Sequence, residues 1–346
     1  MQLLKKMFSI IVEIILLMKN YELAYMSKKI RMFRKKNADT LIVGLSYSLC
    51  GIEESLLDSA LNLSLPSQDI FYSYLLTKKI IEINKIKKVA IGLSYYSFYF
   101  DMSKSIYNKF RIDNVYYPLL KHSHNYKNER STKKKIFRFA KKMIYNKSYM
   151  LFMSLVASDK YFNLRNTREK ACGIYEFSKL IYNDFNKLCN EEKLEIGEKR
   201  ADMHNKLLKY ENTRIENEGI FKEFINMLIG KNIEPIIVIF PVTKYYKYTL
   251  KDEFKDTFYQ YINELNLYNK IKIVDLYNSK GFNDNDFIDS DHLSKAGAIK
   301  VTHILSGMQG GLRSAKASQG EWTEFERKTE RLPEWTSDGN EVRLKN

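Results

Sequence analysis

Thr40-Leu41-Ile42-Val43-Gly44-Leu45-Ser46-Tyr47-Ser48 is the stretch on which the fold turns. Its first five residues are uncharged and mostly aliphatic, which suits a strand covered on both faces. It then runs into Gly-x-Ser, so a hydroxyl stands just past the strand's carboxyl end. Four more runs share this character, at 60–65, 88–93, 235–240 and 271–276. Between the second and third, residues 68–84 repeat apolar side chains at helical spacing. A helix there predicts a right-handed strand–helix–strand crossover. Helices are also predicted over 219–230 and 251–267, and a last one after Asp291-His292-Leu293 with Ser294 as its N-cap. The alternation predicts an α/β protein, a three-layer α/β/α sandwich on a five-stranded parallel sheet.

Residues 100–216 interrupt that alternation. They are rich in Tyr and Lys, carry no convincing strand, and show helical patterns at 133–145 and 174–188. The reading is a helical insertion between the third and fourth strands of a domain spanning 39–306. Insertions at carboxyl strand ends sit over the site of an open sheet, so this one is a candidate lid or substrate platform. Ahead of the domain, residues 1–38 form a basic and apolar segment. Its apolar run at 7–18 contains Glu13 and falls short of the roughly 20 residues of a membrane span. No small-residue cleavage site follows. A packing helix, a helix on a membrane surface and a membrane anchor all remain open for it. From 307 to 346 the hydrophobic period fades and Trp322 and Trp335 appear. A flexible tail without chemistry is expected, either native or an altered reading frame or fused fragment.

The chain has 346 residues, 45% of them hydrophobic, enough for a core, and a formal charge of +16. The charge is uneven: residues 101–150 hold thirteen Lys or Arg against three Asp or Glu. Such a patch can draw nucleic acid, anionic lipid or an acidic polymer, or simply form a solvated surface. No zinc-finger spacing, RNA-recognition signature or Gly-rich phosphate loop accompanies it, which argues against nucleic acid. Cys50, Cys172 and Cys189 are odd in number and far apart. That disfavours a disulfide framework and favours a reducing, cytoplasmic setting, with the N-terminal segment as a route to the membrane surface. No cofactor is expected.

Catalytic chemistry is suggested by Asp289-Ser290-Asp291-His292. An aspartate three residues before a histidine can fold back onto one ring nitrogen, fix the tautomer and leave the other nitrogen as a base. Asp289 is therefore expected to orient His292, while the adjacent Asp291 is expected to point away. A metal site from Asp289, Asp291 and His292, with His303 as an optional further ligand, is the competing reading, although it lacks a second ligand set. For the nucleophile, Ser46 and Ser94 both follow apolar strands, and either could instead terminate a strand in a turn. Ser46 is favoured because a helical pattern at 52–60 follows it closely, and a helix N-terminus supplies donors for an oxyanion. Ser48 is a local rival.

Gly44-Leu45-Ser46 on the first strand, with Asp289-Ser290-Asp291-His292 near the end, resembles the SGNH/GDSL hydrolase superfamily over about 39–306. The likeness is greatest to its divergent bacterial branch of lipoteichoic-acid D-alanylation proteins and polysaccharide O-acyltransferases. The resemblance implies a flavodoxin-like sandwich with Ser46 as nucleophile, His292 as base and Asp289 as orienter. It implies an esterase or O-acyltransferase acting on an acylated carbohydrate or cell-envelope polymer. Leu45 stands where the family name has Asp. The family completes its oxyanion hole with a glycine after the second strand and an asparagine after the third. Here Asn62-Leu63-Ser64-Leu65-Pro66-Ser67-Gln68 has no glycine, leaving the Ser67 amide as substitute, and Ser94 stands at the asparagine position. The implied alternative is a catalytically weak binding or assembly protein of a polysaccharide pathway.

Overall fold

A computed structural model describes residues 21–35, 38–57, 59–126, 185–269 and 271–307. The predicted helix at 133–145, most of that at 174–188, the apolar run at 7–18 and nearly all of the tail lie outside them.

Five strands form one all-parallel sheet in the order β2-β1-β3-β4-β5. They are β1 (Thr40–Gly44), β2 (Ala60–Asn62), β3 (Lys88–Leu93), β4 (Glu234–Ile239) and β5 (Lys272–Asp275). Four of them lie within one residue of the predicted runs at their starts and ends. β2 is the exception, ending at Asn62 rather than 65. There the Asn62 side chain accepts the Ser64 amide at 3.0 Å and donates to the Ser48 carbonyl at 2.8 Å, which turns the chain out of the sheet.

Helices cover both faces. On one side α2 (Ser46–Gly51) packs against β1, β3 and α7 (Lys295–Gly307). On the other, α3 (Ile70–Ile81) lies beside α5 (Glu211–Gly230). Phe98, just past β3, touches Phe221 of α5 and Phe258 of α6 (Glu253–Asn266) and joins those helices. The molecule is thus a three-layer α/β/α sandwich. β1 and β3 are neighbours, but the chain leaves them toward opposite edges, which makes their carboxyl ends the switch point where open parallel sheets place their sites.

The predicted helix at 52–60 is displaced. The helix begins at Ser46 itself and ends at Gly51, after which Ile52 is extended and only a single 3-10 turn, Glu54–Leu56, follows. Within the insertion the described parts are helical: Ile106–Arg111, Tyr117–Leu120 and α4 (Asn190–Asn205), with a 3-10 turn at Phe185–Lys187.

The N-terminal helix α1 (Tyr21–Lys35) joins the core through Leu23, Tyr25, Met26 and Ile30. Two largely buried connections hold it. Lys29 bonds Glu54 and, at 2.8 Å, the Asn62 carbonyl. Arg111 grips Glu22 through Nε and Nη2, both at 2.8 Å, and donates through Nη1 to the Pro66 carbonyl. Among the described residues no helix is long and apolar enough to cross a membrane.

Candidate active site

Ser46 is the first residue of α2, so its amide has no acceptor within the helix. Backbone geometry forces this placement. Gly44 has φ +140°, and a Cβ there would come within 2.3 Å of the Gly92 carbonyl oxygen. A Cβ on Gly92 would fall 1.6 Å from Ser48 Oγ. With glycine on both strands, α2 settles directly onto the ends of β1 and β3.

The histidine arrives from the far end of the sheet. After β5 the chain makes a tight loop closed by a bridge between Phe287 and Leu293 and by the Ile288 amide donating to the His292 carbonyl at 2.9 Å. Asp289 shapes the loop: its Oδ1 accepts the Asp291 amide at 3.0 Å and the His292 amide at 2.7 Å. Thr243, past β4, pins the loop with its hydroxyl and amide on the Ser290 carbonyl. His292 Nε2 then lies 2.9 Å from Ser46 Oγ, and Nδ1 lies 3.0 Å from both oxygens of Asp289. Ser46 and His292 are buried, while Asp289 reaches the surface.

Asp291 departs from expectation. Rather than pointing away, it sits fully buried with Oδ1 3.3 Å from the same Nδ1. The loop bend imposed by Asp289 brings it inward, and two donors hold it there. Tyr47 donates its hydroxyl at 2.7 Å, and Arg200 of α4 places Nε 3.0 and 3.2 Å from the two oxygens. Around them runs an aromatic chain. Tyr47 stacks on His292, Tyr96 donates to the Tyr47 hydroxyl at 3.1 Å and stacks on His204, and His204 Nδ1 lies 2.5 Å from the Tyr246 hydroxyl.

Charge follows from these contacts. Burial pulls His292 downward, but the carboxylates of Asp289 and Asp291 outweigh it and raise its pKa to about 9. Asp291 resists the upward push of burial and stays well below the usual carboxylate range, because Arg200 and His292 face it. Burial, with the positive charge of Arg200 beside it, holds His204 well below its ordinary value and therefore neutral.

The remaining candidates fall elsewhere. Ser48 Oγ points to the Val43 carbonyl, at 3.4 Å, and is wedged against the glycines. Ser94 occupies the place on β3 that Ser46 occupies on β1, two residues beyond the paired Gly92 and Gly44. Among the described residues no hydrogen bond joins it to a base: its amide donates to Ser97 Oγ at 2.8 Å, and its hydroxyl neighbours the Tyr96 side chain. Ser67 lies in the turn after β2 with φ +57°, and among the described residues no hydrogen bond joins it to Ser46. For a metal, Asp289, Asp291 and His292 offer ligand atoms within 4.8 Å of one another. The guanidinium of Arg200 already meets the charge of Asp291, and Nε2 is turned to Ser46, so this set suits proton transfer better than coordination. Asp69, Asp101 and His124 are similarly close, but Asp69 and Asp101 each accept backbone amides.

Sequence reasoning missed Tyr47, Tyr96 and Arg200. Tyr47 stood beside the serine, yet nothing in its local pattern tells which way an aromatic ring will turn. No protein-family model matches the chain, and no curated protein matches it either.

Proposed function

We propose that the protein is a serine-dependent acyl-transfer enzyme of SGNH/GDSL type, an esterase or O-acyltransferase. The observation that carries this reading is the unbroken line from Ser46 Oγ through His292 to Asp289, buried at one end and open at the other. Ser46 Oγ attacks an ester carbonyl carbon while His292 Nε2 takes the hydroxyl proton. Asp289 holds the imidazolium through Nδ1–H. Collapse of the tetrahedral oxyanion breaks the ester C–O bond, and Nε2 returns the proton to the departing alkoxide. Water or a sugar hydroxyl then attacks the acyl-enzyme, giving up its proton to Nε2. Collapse of the second oxyanion breaks the bond from Ser46 Oγ to the acyl carbon, and Nε2 returns the proton to Ser46. The Ser46 amide, at the start of α2 and without an acceptor in that helix, would serve as a main-chain donor to the developing oxyanion.

The substrate class we favour is an acylated carbohydrate or cell-envelope polymer, in keeping with the net charge of +16. A cytoplasmic enzyme, peripheral to the membrane through its N-terminal segment, fits this reading. Reaction with a fluorophosphonate probe tests it. Stoichiometric labelling of the native protein should vanish in Ser46→Ala, and labelling that persists there removes Ser46 as nucleophile.

A second reading has its own support. At position 94 a serine hydroxyl beside the Tyr96 side chain stands where the family places an asparagine as oxyanion donor, and its reach is shorter. Losing one such donor costs about 3 kcal/mol of transition-state stabilisation. A catalytically weak binding or assembly protein of a polysaccharide pathway follows from that. Turnover of a simple acetyl ester, abolished in His292→Ala, would exclude it.

A further inference from the structure

Two carboxylates compete for one imidazole N–H in this site. Asp289 lies 3.0 Å from His292 Nδ1 and Asp291 lies 3.3 Å from it. A base flanked by two uncompensated carboxylates holds its proton tightly, which weakens it as a base at neutral pH. Asp291 is not uncompensated, however. Its partner comes from outside the sheet: α4 belongs to the insertion between β3 and β4, and Arg200 extends from it onto Asp291.

The approach of α4 is built rather than incidental. At Gly197, one turn before Arg200, a Cβ would meet the Tyr245 carbonyl oxygen at 2.5 Å, so glycine alone lets the helix come this close. Lys193 pairs with Asp284 at 2.7 Å, and His204 meets the Tyr246 hydroxyl at the other end. Arg200 is thus fixed from both sides, and its guanidinium bonds Asp291 through Nε only.

We infer that Arg200 is a positioning residue of the catalytic base: by holding Asp291 to itself and Tyr47, it leaves Asp289 as the working partner of the His292 Nδ1–H. The insertion thereby sets the strength of the base from outside the sheet. Asp289 and Asp291 on its own loop and Tyr47 on α2 face His292; behind them stand Tyr96 past β3, bonded to Tyr47, and Arg200 and neutral His204 on α4. Of these, only Arg200 is a fixed positive charge. This inference deepens the proposed acyl transfer but can be judged without it.

The experiment is a nitrogen-15 NMR titration of the His292 ring in the full chain. Arg200→Gln should move the His292 midpoint upward by about one pH unit, the effect of an opposite charge removed at close range. Asp291→Asn should move it downward by a comparable amount, and the double variant should return it near the native value. Arg200→Lys should recover most of the native midpoint. If the substrate reading also holds, kcat/KM of Arg200→Gln at neutral pH falls about tenfold and recovers at high pH, while KM stays unchanged. A midpoint unmoved in Arg200→Gln overturns the inference. Should that variant not fold, an unmoved midpoint in Asp291→Asn overturns it equally. Failure of the acyl-transfer reading would show separately, as absence of Ser46 labelling with the titration shifts intact.

Discussion

Tyr47 lies flat against His292, with ring centroids 5.1 Å apart and planes 19° from parallel, and its hydroxyl reaches past the imidazole to Asp291. One side chain therefore both walls the base and satisfies its second carboxylate. Tyr47→Phe keeps the wall and removes the donor, which should cost about 1–3 kcal/mol because a buried carboxylate loses a hydrogen bond. Tyr47→Ala opens a cavity as well and should cost about 3–5 kcal/mol. Urea unfolding of the two variants, compared at equal slope, checks the order.

The pKa of His292, raised to about 9, makes an alkaline activity profile the expected one. The neutral imidazole is the base, so kcat/KM for an ester should climb through a limb centred near 9 and level off above it. Stability should run the opposite way. The folded protein holds the His292 proton more tightly than an unfolded chain with its ordinary value of 6.5. That contribution is complete below about 6.5 and is lost as pH rises through about 9. Chemical denaturation from pH 6 to 10, with His292→Gln as reference, reads the difference; equal slopes in both proteins would contradict it.

Asp289→Asn preserves the shape of the loop but offers an amide where Nδ1–H needs an acceptor. Turnover should drop by roughly 10³–10⁴-fold while the fold persists. Ser94→Ala, in contrast, should reduce turnover less than tenfold, a ceiling of about 1.4 kcal/mol, if its hydroxyl serves Tyr96 rather than the oxyanion. A loss near a hundredfold would return Ser94 to the oxyanion hole.

Gly92→Ala drives a methyl into Ser48 Oγ, and overpacking of this kind should destabilise by about 3 kcal/mol. Adding Ser48→Ala removes the nearest atom but leaves the Phe240 ring at 2.8 Å and Ser48 Cβ at 3.0 Å, so recovery should be partial. Thermal melts of the single and double variants measure it. Full recovery would mean that the Phe240 ring and the backbone of α2 yield more than their packing suggests.

The strands were legible because each is a short aliphatic run bounded by turns, and burial on both faces needs nothing else. Their order, and hence the switch point at β1 and β3, depends on pairing between distant residues and is not written in any window. The Asp289–His292 relation was legible because it is local, a loop in which one carboxylate accepts two nearby amides. Arg200 was not, since its partner lies 91 positions away and its own surroundings look like any charged, Glu-rich surface helix. Asp291 was misjudged for a related reason: what turns it inward is the pair of donors from Tyr47 and Arg200, neither of which a local reading of the loop includes. The helix after Ser46 was misplaced because hydrophobic spacing signals packing, whereas the helix start is set by the close approach of two glycines.

Lys29 touches nothing catalytic, yet it reaches through the core to the Asn62 carbonyl, and the Asn62 amide in turn supports the Ser48 carbonyl on the nucleophile's own helix. A fragment trimmed to begin at Thr40 would retain Ser46, Asp289 and His292 while abandoning the cation that Glu54 and Asn62 face. The smallest portable version of this site therefore extends upstream of its first strand. Any attempt to graft it onto another sheet must carry α1 or replace its brace.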